Sequence, residues 1–339
     1  MDTTQPARPN RGSGDAATIQ SSIVRSACMV ALLSAFPVIS TAAAPAIKWE
    51  RRGAPSGKPL IFVPALGVPG SLWARVYERL EKSNPVYVVT LAGTDGLPPG
   101  DPPHLAATIH AISELIAAED LKNPVLVGHL MGANIALHVA ARHPDRVGAV
   151  FGIPVVMNRP ARSQRQAEAE RIVQSYLGSE REMWVPNMTV QIKSTVNDAV
   201  VAQALIDMLS KADRDTYART LGEMMVDPIE DILPKVQAPV LLSIPISQIT
   251  RSGNMARQNE QLSVVTKTKV DATYLLYPGL PRCDVVPMRN VSLFPMIDAP
   301  ERVAFAIERF LKKLDDPKAV WSDTKRPPTT PQTEGEASN

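Results

Sequence analysis

Histidine runs out early in this chain. Five histidines are present, the last of them His143, and none follows in the rest of the 339 residues. Imidazole chemistry drawn from the C-terminal half is thereby excluded, and no metal-ligand cluster is visible anywhere. Cysteine is scarcer still, with only Cys28 and Cys283. Cys28 lies in an N-terminal stretch that resembles a removable export signal, which leaves Cys283 alone and no internal disulfide. Charge of one sign is also lacking. The net charge is +2, and no lysine and arginine run is interleaved with the few aromatics, which argues against a nucleic-acid partner. A Gly-x-Gly-x-x-Gly turn after the first strand is missing, so a dinucleotide cofactor is not implied, and the sequence calls for no other cofactor or metal.

What is present fits a globular protein. At 45% hydrophobic residues the chain can bury a full core. Arg8, Arg11 and Arg25 precede an uncharged apolar stretch from Ser26 to Ile47, which ends in small residues including Ala42, Ala43 and Ala44. This pattern predicts a signal segment over residues 1–46 and an exported protein, periplasmic or secreted. Ser34, Pro37 and Ser40 make the stretch a poor permanent span, so no stable membrane span is expected after cleavage, though an uncleaved signal would leave an anchor. Nothing in the sequence fixes an oligomeric state.

From Lys58 strand-like and helix-like segments alternate, the pattern of a mostly parallel sheet with helices on both faces. The strands are Pro59 to Val63, Val86 to Leu91, Val125 to Gly128 and Val147 to Gly152, short apolar runs without polar alternation. Leu105, Ile109, Ile112 and Ile116 fall at helical spacing between them. After Pro154 only helical patterns continue, and the sheet resumes with Pro239 to Ile244 and Asp284 to Val291. A last helix is predicted to start at Asp298, with Glu301 as its capping-box partner. The domain plan is therefore a core over 47–154 and 236–315, a helical cap insertion over 155–235, and a tail over 316–339 too polar and proline-rich to fold.

The most telling segment is Gly128-His129-Leu130-Met131-Gly132, between a buried-strand run and a small-residue helix. It resembles the nucleophile elbow of the α/β-hydrolase fold, with leucine where the serine stands in exported bacterial serine hydrolases. Pro64-Ala65-Leu66-Gly67 with Trp73, and Gly96-Leu97-Pro98-Pro99, are similar to further loops of that family. Phe294-Pro295-Met296-Ile297-Asp298-Ala299-Pro300-Glu301 resembles the segment that follows its catalytic histidine. The resemblance implies Leu130 at the nucleophile position and Leu293 at the histidine position. It leaves the acid open between Phe151 and the Ile246 to Gln248 stretch, and it places the oxyanion amides on Leu66 and Met131.

In that family the base comes last in chain order, and this chain has no late histidine. The resemblance therefore implies a catalytically silent pseudo-hydrolase or disabled enzyme that can still bind a small molecule. The alternative is the family's own activity, hydrolysis of an ester, amide or related small substrate through an acyl-enzyme. His129 reads as a packed strand-end residue, while Ser71, Ser243 and Ser247 sit on no elbow. The insertion's methionines, Met157, Met183, Met188, Met208, Met224 and Met225, with Tyr176 and Trp184, form either its own core or an adaptable pocket. Leu130 and Leu293 are expected to meet at about 4 to 4.5 Å over a dry pocket. Leu130→Ser with Leu293→His, and Phe151→Asp if needed, is the expected route to activity.

Overall fold

A computed structural model describes residues 44–154, 160–178, 183–196, 198–247 and 255–322. The proposed signal up to residue 43, Met157, Gln248 and the end of the tail lie outside those residues. Among the described residues, seven strands form one sheet in the order β1-β3-β2-β4-β5-β6-β7. They are β1 Ile47–Gly53, β2 Leu60–Val63, β3 Pro85–Leu91, β4 Val125–His129, β5 Ala149–Ile153, β6 Val240–Ile246 and β7 Cys283–Arg289. All neighbours pair in parallel except β1, which runs antiparallel to β3 along the edge. The six strands read from the sequence are present with ends shifted by a residue or two. The edge strand β1 is new, and its exposed Lys48, Trp49, Glu50 and Arg51 show why it carries no buried-strand signature.

Each central strand divides its side chains between two apolar clusters, as a period of two requires. Leu60 and Phe62 of β2 point to one face, with α1 (Ala74–Leu80) and α11 (Pro300–Leu314); Ile61 and Val63 point to the other, with α2 (His104–Ala118) and α3 (Met131–Arg142). The predicted stripe of α2 is buried as read: Leu105, Ile109, Ile112 and Ile116 all lie inside. A further helix, α9 (Met255–Leu276), joins β6 to β7.

The helical insertion enters after β5 and leaves before β6. Among the described residues it comprises α4 (Arg165–Leu177), α5 (Trp184–Thr195), α6 (Ala199–Leu209), α7 (Arg214–Val226) and the single turn α8 (Ile229–Ile232). Trp184, Met188, Leu205, Leu209 and Tyr217 join the same apolar cluster as Phe62, Trp73 and Phe294 of the core. Polar clasps add to this seam. Glu223 accepts the backbone N–H groups of His104 and Leu105 at 3.0 and 2.6 Å, capping α2 from a distant helix. The N–H of Asp213 donates to the carbonyl of Gly93 at 2.7 Å, and buried His138 of α3 pairs with Asp227 at 2.8 Å.

Two expectations are corrected. Asp298 does not cap the last helix: it ends the short turn α10 (Pro295–Asp298), while Ala299 is the N-cap of α11 and Pro300 its first residue. Proline at that position has its φ preset for the helix and no N–H to satisfy, so the start is fixed without a side-chain cap. The carboxylate of Asp298 instead accepts the N–H of Ser292 at 2.5 Å. The tail, expected to be disordered from Asp316, is packed as far as Ser322. Trp321 stacks edge-on against Phe310 at 5.9 Å beneath the cations of Lys313 and Arg282, and Ser322 accepts the N–H of Cys283 at 2.9 Å.

Candidate active site

The turn from β4 into α3 gathers the site. Leu130 adopts φ 50° and ψ −110°, a left-handed conformation that a side chain with Cβ enters only under strain. The turn is held on both sides, by the N–H of Leu130 on the carbonyl of Ile153 at 2.8 Å and by the N–H of Ala133 on the carbonyl of Leu130 at 3.1 Å. The flanking glycines are required by space. A Cβ on Gly132 would lie 2.1 Å from the carbonyl oxygen of Val63, and one on Gly128 would lie 2.4 Å from that of Gly132. Leu130 itself is half-buried, with its side chain packed against the apolar cluster beneath the insertion.

Met131 opens α3, so its N–H has no acceptor within the helix. Leu66, on the loop after β2, borders with Met131 a cavity of about 10 Å³, also lined by His104, Thr108, Thr216 and Thr220. That is room for roughly one water, between these polar groups and a mainly apolar wall that includes Leu91 and Ala92. Directly above, a Cβ on Gly67 would come within 2.8 Å of Leu209 and 3.0 Å of Tyr217, so the insertion rests on this loop. Tyr217 makes edge contacts with Trp184 and Tyr176, and burial raises its phenol well above the usual range.

The loop after β7 carries Leu293, half-buried against the same cluster as Leu130. His129 joins the two segments. It is fully buried, its Nε2–H donates to the carbonyl of Leu293 at 2.9 Å, and its Nδ1 has no hydrogen-bond partner among the described residues. Trp73 and Phe294 meet its ring edge-on at 6.1 and 5.1 Å. Burial pulls its pKa down to about 4, a shift only partly opposed by the bond to Leu293, so the ring is neutral at pH 7.

The structure thus brings Leu130, His129, Leu293, Leu66 and Met131 into one neighbourhood. Phe151 lies elsewhere: it sits mid-strand in β5, opposite Val127, and packs on Phe310 at 6.2 Å in the core. The end of β6 is nearer to the loop, since the N–H of Val291 donates to the carbonyl of Ile246 at 3.2 Å. Ser243 is buried within β6, whereas Ser247 and Ser71 are exposed. Of the insertion's methionines, Met188, Met224 and Met225 are buried and Met183 is exposed. Sequence reasoning missed the roles of Asp298, Glu223 and the His129 bond. Each links residues with no local signal, the last across 164 positions.

A model of the alpha/beta hydrolase family matches residues 60–307. Among known proteins, a pimeloyl-[acyl-carrier protein] methyl ester esterase of Vibrio vulnificus is 31% identical over 108 residues, 32% of this chain and 40% of its own length. The protein of that name from Chromobacterium violaceum is 26% identical over 195 residues, 55% of this chain and 74% of its own. The match thus spans less than half of the Vibrio relative. Among solved structures, a thermophilic esterase from Thermogutta terrifontis aligns with a TM-score of 0.60 at 19% identity, covering 80% of this chain and 94% of its own. An enol-lactonase from Burkholderia xenovorans LB400 aligns at 0.57 and 15% identity, covering 78% and 96%. At such identities the likeness is one of fold.

Proposed function

The chain belongs to the alpha/beta hydrolase family, and from that premise we propose that its elbow site recognises a small ester or related carbonyl compound but does not turn it over. One observation carries this reading: Leu130 holds the strained conformation of a nucleophile, φ 50° and ψ −110°, without a hydroxyl to present. In the family's chemistry a serine at that position attacks the carbonyl, a histidine on the last loop takes its proton, and two amides stabilise the oxyanion. Here the amides of Leu66 and Met131 remain for a carbonyl oxygen, while Leu130 and Leu293 supply apolar contact. Loss of a triad serine or histidine lowers turnover on the order of 10⁶-fold, and residual rate enhancement comes from binding and the oxyanion hole. Export through the N-terminal segment is part of the same proposal.

The relatives favour a second reading, in which this chain is itself a hydrolase of small esters acting through an acyl-enzyme. It requires a nucleophile other than residue 130, and exposed Ser71 and Ser247 are the serines at hand. A fluorophosphonate probe and a series of p-nitrophenyl esters separate the two. Labelling, or a burst of p-nitrophenol from the unaltered chain, would sink the silent reading. Under the silent reading neither occurs, and Leu130→Ser with Leu293→His restores both. The third change belongs at the end of β6, as Ser247→Asp, because a carboxylate at position 151 would be buried against Phe310. If the restored variant stays folded and inert, residues 130 and 293 are not the positions of a disabled triad.

A further inference from the structure

We infer that His129 is a positioning residue, which holds the loop carrying residue 293 in register with the elbow through a single hydrogen bond to its backbone. The inference rests on reading residues 130 and 293 as the nucleophile and histidine positions, and it adds a side chain that touches no substrate.

The chemistry of the bond fixes the state of the ring. A carbonyl oxygen only accepts, so the Nε2 that faces Leu293 at 2.9 Å carries the proton and Nδ1 is left as a bare lone pair. That lone pair is buried without a partner among the described residues. An unsatisfied polar atom in a dry core is costly, and a phenylalanine or leucine would fill the same space without it. What imidazole supplies that an apolar residue cannot is the bond from Nε2. Trp73 and Phe294 clamp the ring edge-on, and none of its surface is exposed, so it has no room to turn toward another acceptor.

The loop is pinned residue by residue. The N–H of Val291 is taken by Ile246, that of Ser292 by Asp298, and that of Phe294 by the hydroxyl of Ser292 at 3.1 Å. The carbonyl of Leu293 completes the set, and it is the one tied to the elbow. His129 precedes Leu130 directly in the chain, so one side chain sets the spacing between the two halves of the site. The half-buried side chain of residue 293 leaves from a backbone already held.

Two arms test the tether. In the first, ¹⁵N spectra of the unaltered protein should show His129 as the Nε2–H tautomer, unchanged between about pH 5 and 8. His129→Phe should speed amide exchange at residues 291–294 by about tenfold while β4 and α3 keep their protection, and His129→Gln, whose carboxamide can donate to the same carbonyl, should recover it. In the second, within the Leu130→Ser, Leu293→His, Ser247→Asp background, His129→Phe should lower kcat about tenfold with KM unchanged, and His129→Gln should restore it. If that background is inert, the functional reading fails and the exchange arm still decides the tether. An Nδ1–H tautomer, a ring titrating near its ordinary value, or equal exchange in the unaltered and His129→Phe proteins would overturn it. The spectra need no variant, so a His129→Phe chain that fails to fold leaves the test intact.

Discussion

Replacing Leu130 with glycine and, separately, with alanine isolates the strain stored at the elbow. The observed φ of 50° and ψ of −110° mirror the extended region, so glycine enters it freely and any residue with a Cβ does not. Both substitutions remove the same half-buried leucine contacts, worth about 1 kcal/mol. They differ in backbone. Alanine keeps the strain of about 1 to 3 kcal/mol, while glycine loses it and instead carries about 0.5 to 1 kcal/mol of extra chain entropy. The difference leaves Leu130→Gly more stable than Leu130→Ala by about 1 kcal/mol, the reverse of the order in an ordinary helix or strand. For a unit of this size that is about 2 to 3 °C in Tm. Urea unfolding of the three proteins at pH 7, fitted with a common slope, measures it. If the alanine variant proves equal to or more stable than the glycine variant, the elbow stores no strain and the case for an inherited nucleophile turn collapses.

Acid should weaken the fold through His129. Its pKa near 4 in the folded protein lies below the ordinary 6.5, so the unfolded chain takes up the proton first as pH falls. Stability is then full above about pH 6.5 and erodes down to about pH 4, by at most about 3 kcal/mol; urea midpoints at pH 7 and 4.5 should show a flatter dependence for His129→Gln. Gly132→Ala should cost about 3 kcal/mol or more, because the new Cβ meets backbone oxygen of β2 that cannot retreat. Gly96→Ala, where a Cβ meets nothing within 4 Å but φ is 77°, should cost about 1 kcal/mol in the same denaturation series. Glu223→Ala should cost about 1 to 2 kcal/mol and loosen amide exchange at the start of α2, with Glu223→Gln milder because one acceptor remains.

Much of the architecture was legible because the parallel strands are apolar on both faces and the helices between them carry regular stripes. Val125 to Val127 and Leu105 to Ile116 announce their elements without help. β1 escaped notice because it lies at an edge, where Glu50 and Arg51 face solvent and the pairing partner β3 supplies the order. The Asp298 to Glu301 motif is present as letters, yet the proline between them fixes the helix start and the aspartate is drawn to Ser292. The elbow could be read from five residues because its glycines answer to steric contacts with backbone close by. The acid position could not, since a carboxylate is placed by tertiary approach. Only the packing of Phe151 on Phe310, and the contact of Ile246 with Val291, separate the two candidates.

The seam between insertion and core bears on how such a protein can be recombined. Glu223 supplies the acceptors that begin α2, and Asp227 holds a histidine of the elbow helix, so donor and recipient of these bonds fall on opposite sides of any crossover drawn after β5 and before β6. A graft of the insertion alone from another family member would carry away one half of each pair and strand the other in a buried setting. The unit that can be exchanged intact is larger than the inserted sequence: it includes α2 and the face of α3 that bears His138. Chimeras cut along that wider boundary should fold where those cut at the insertion's ends do not.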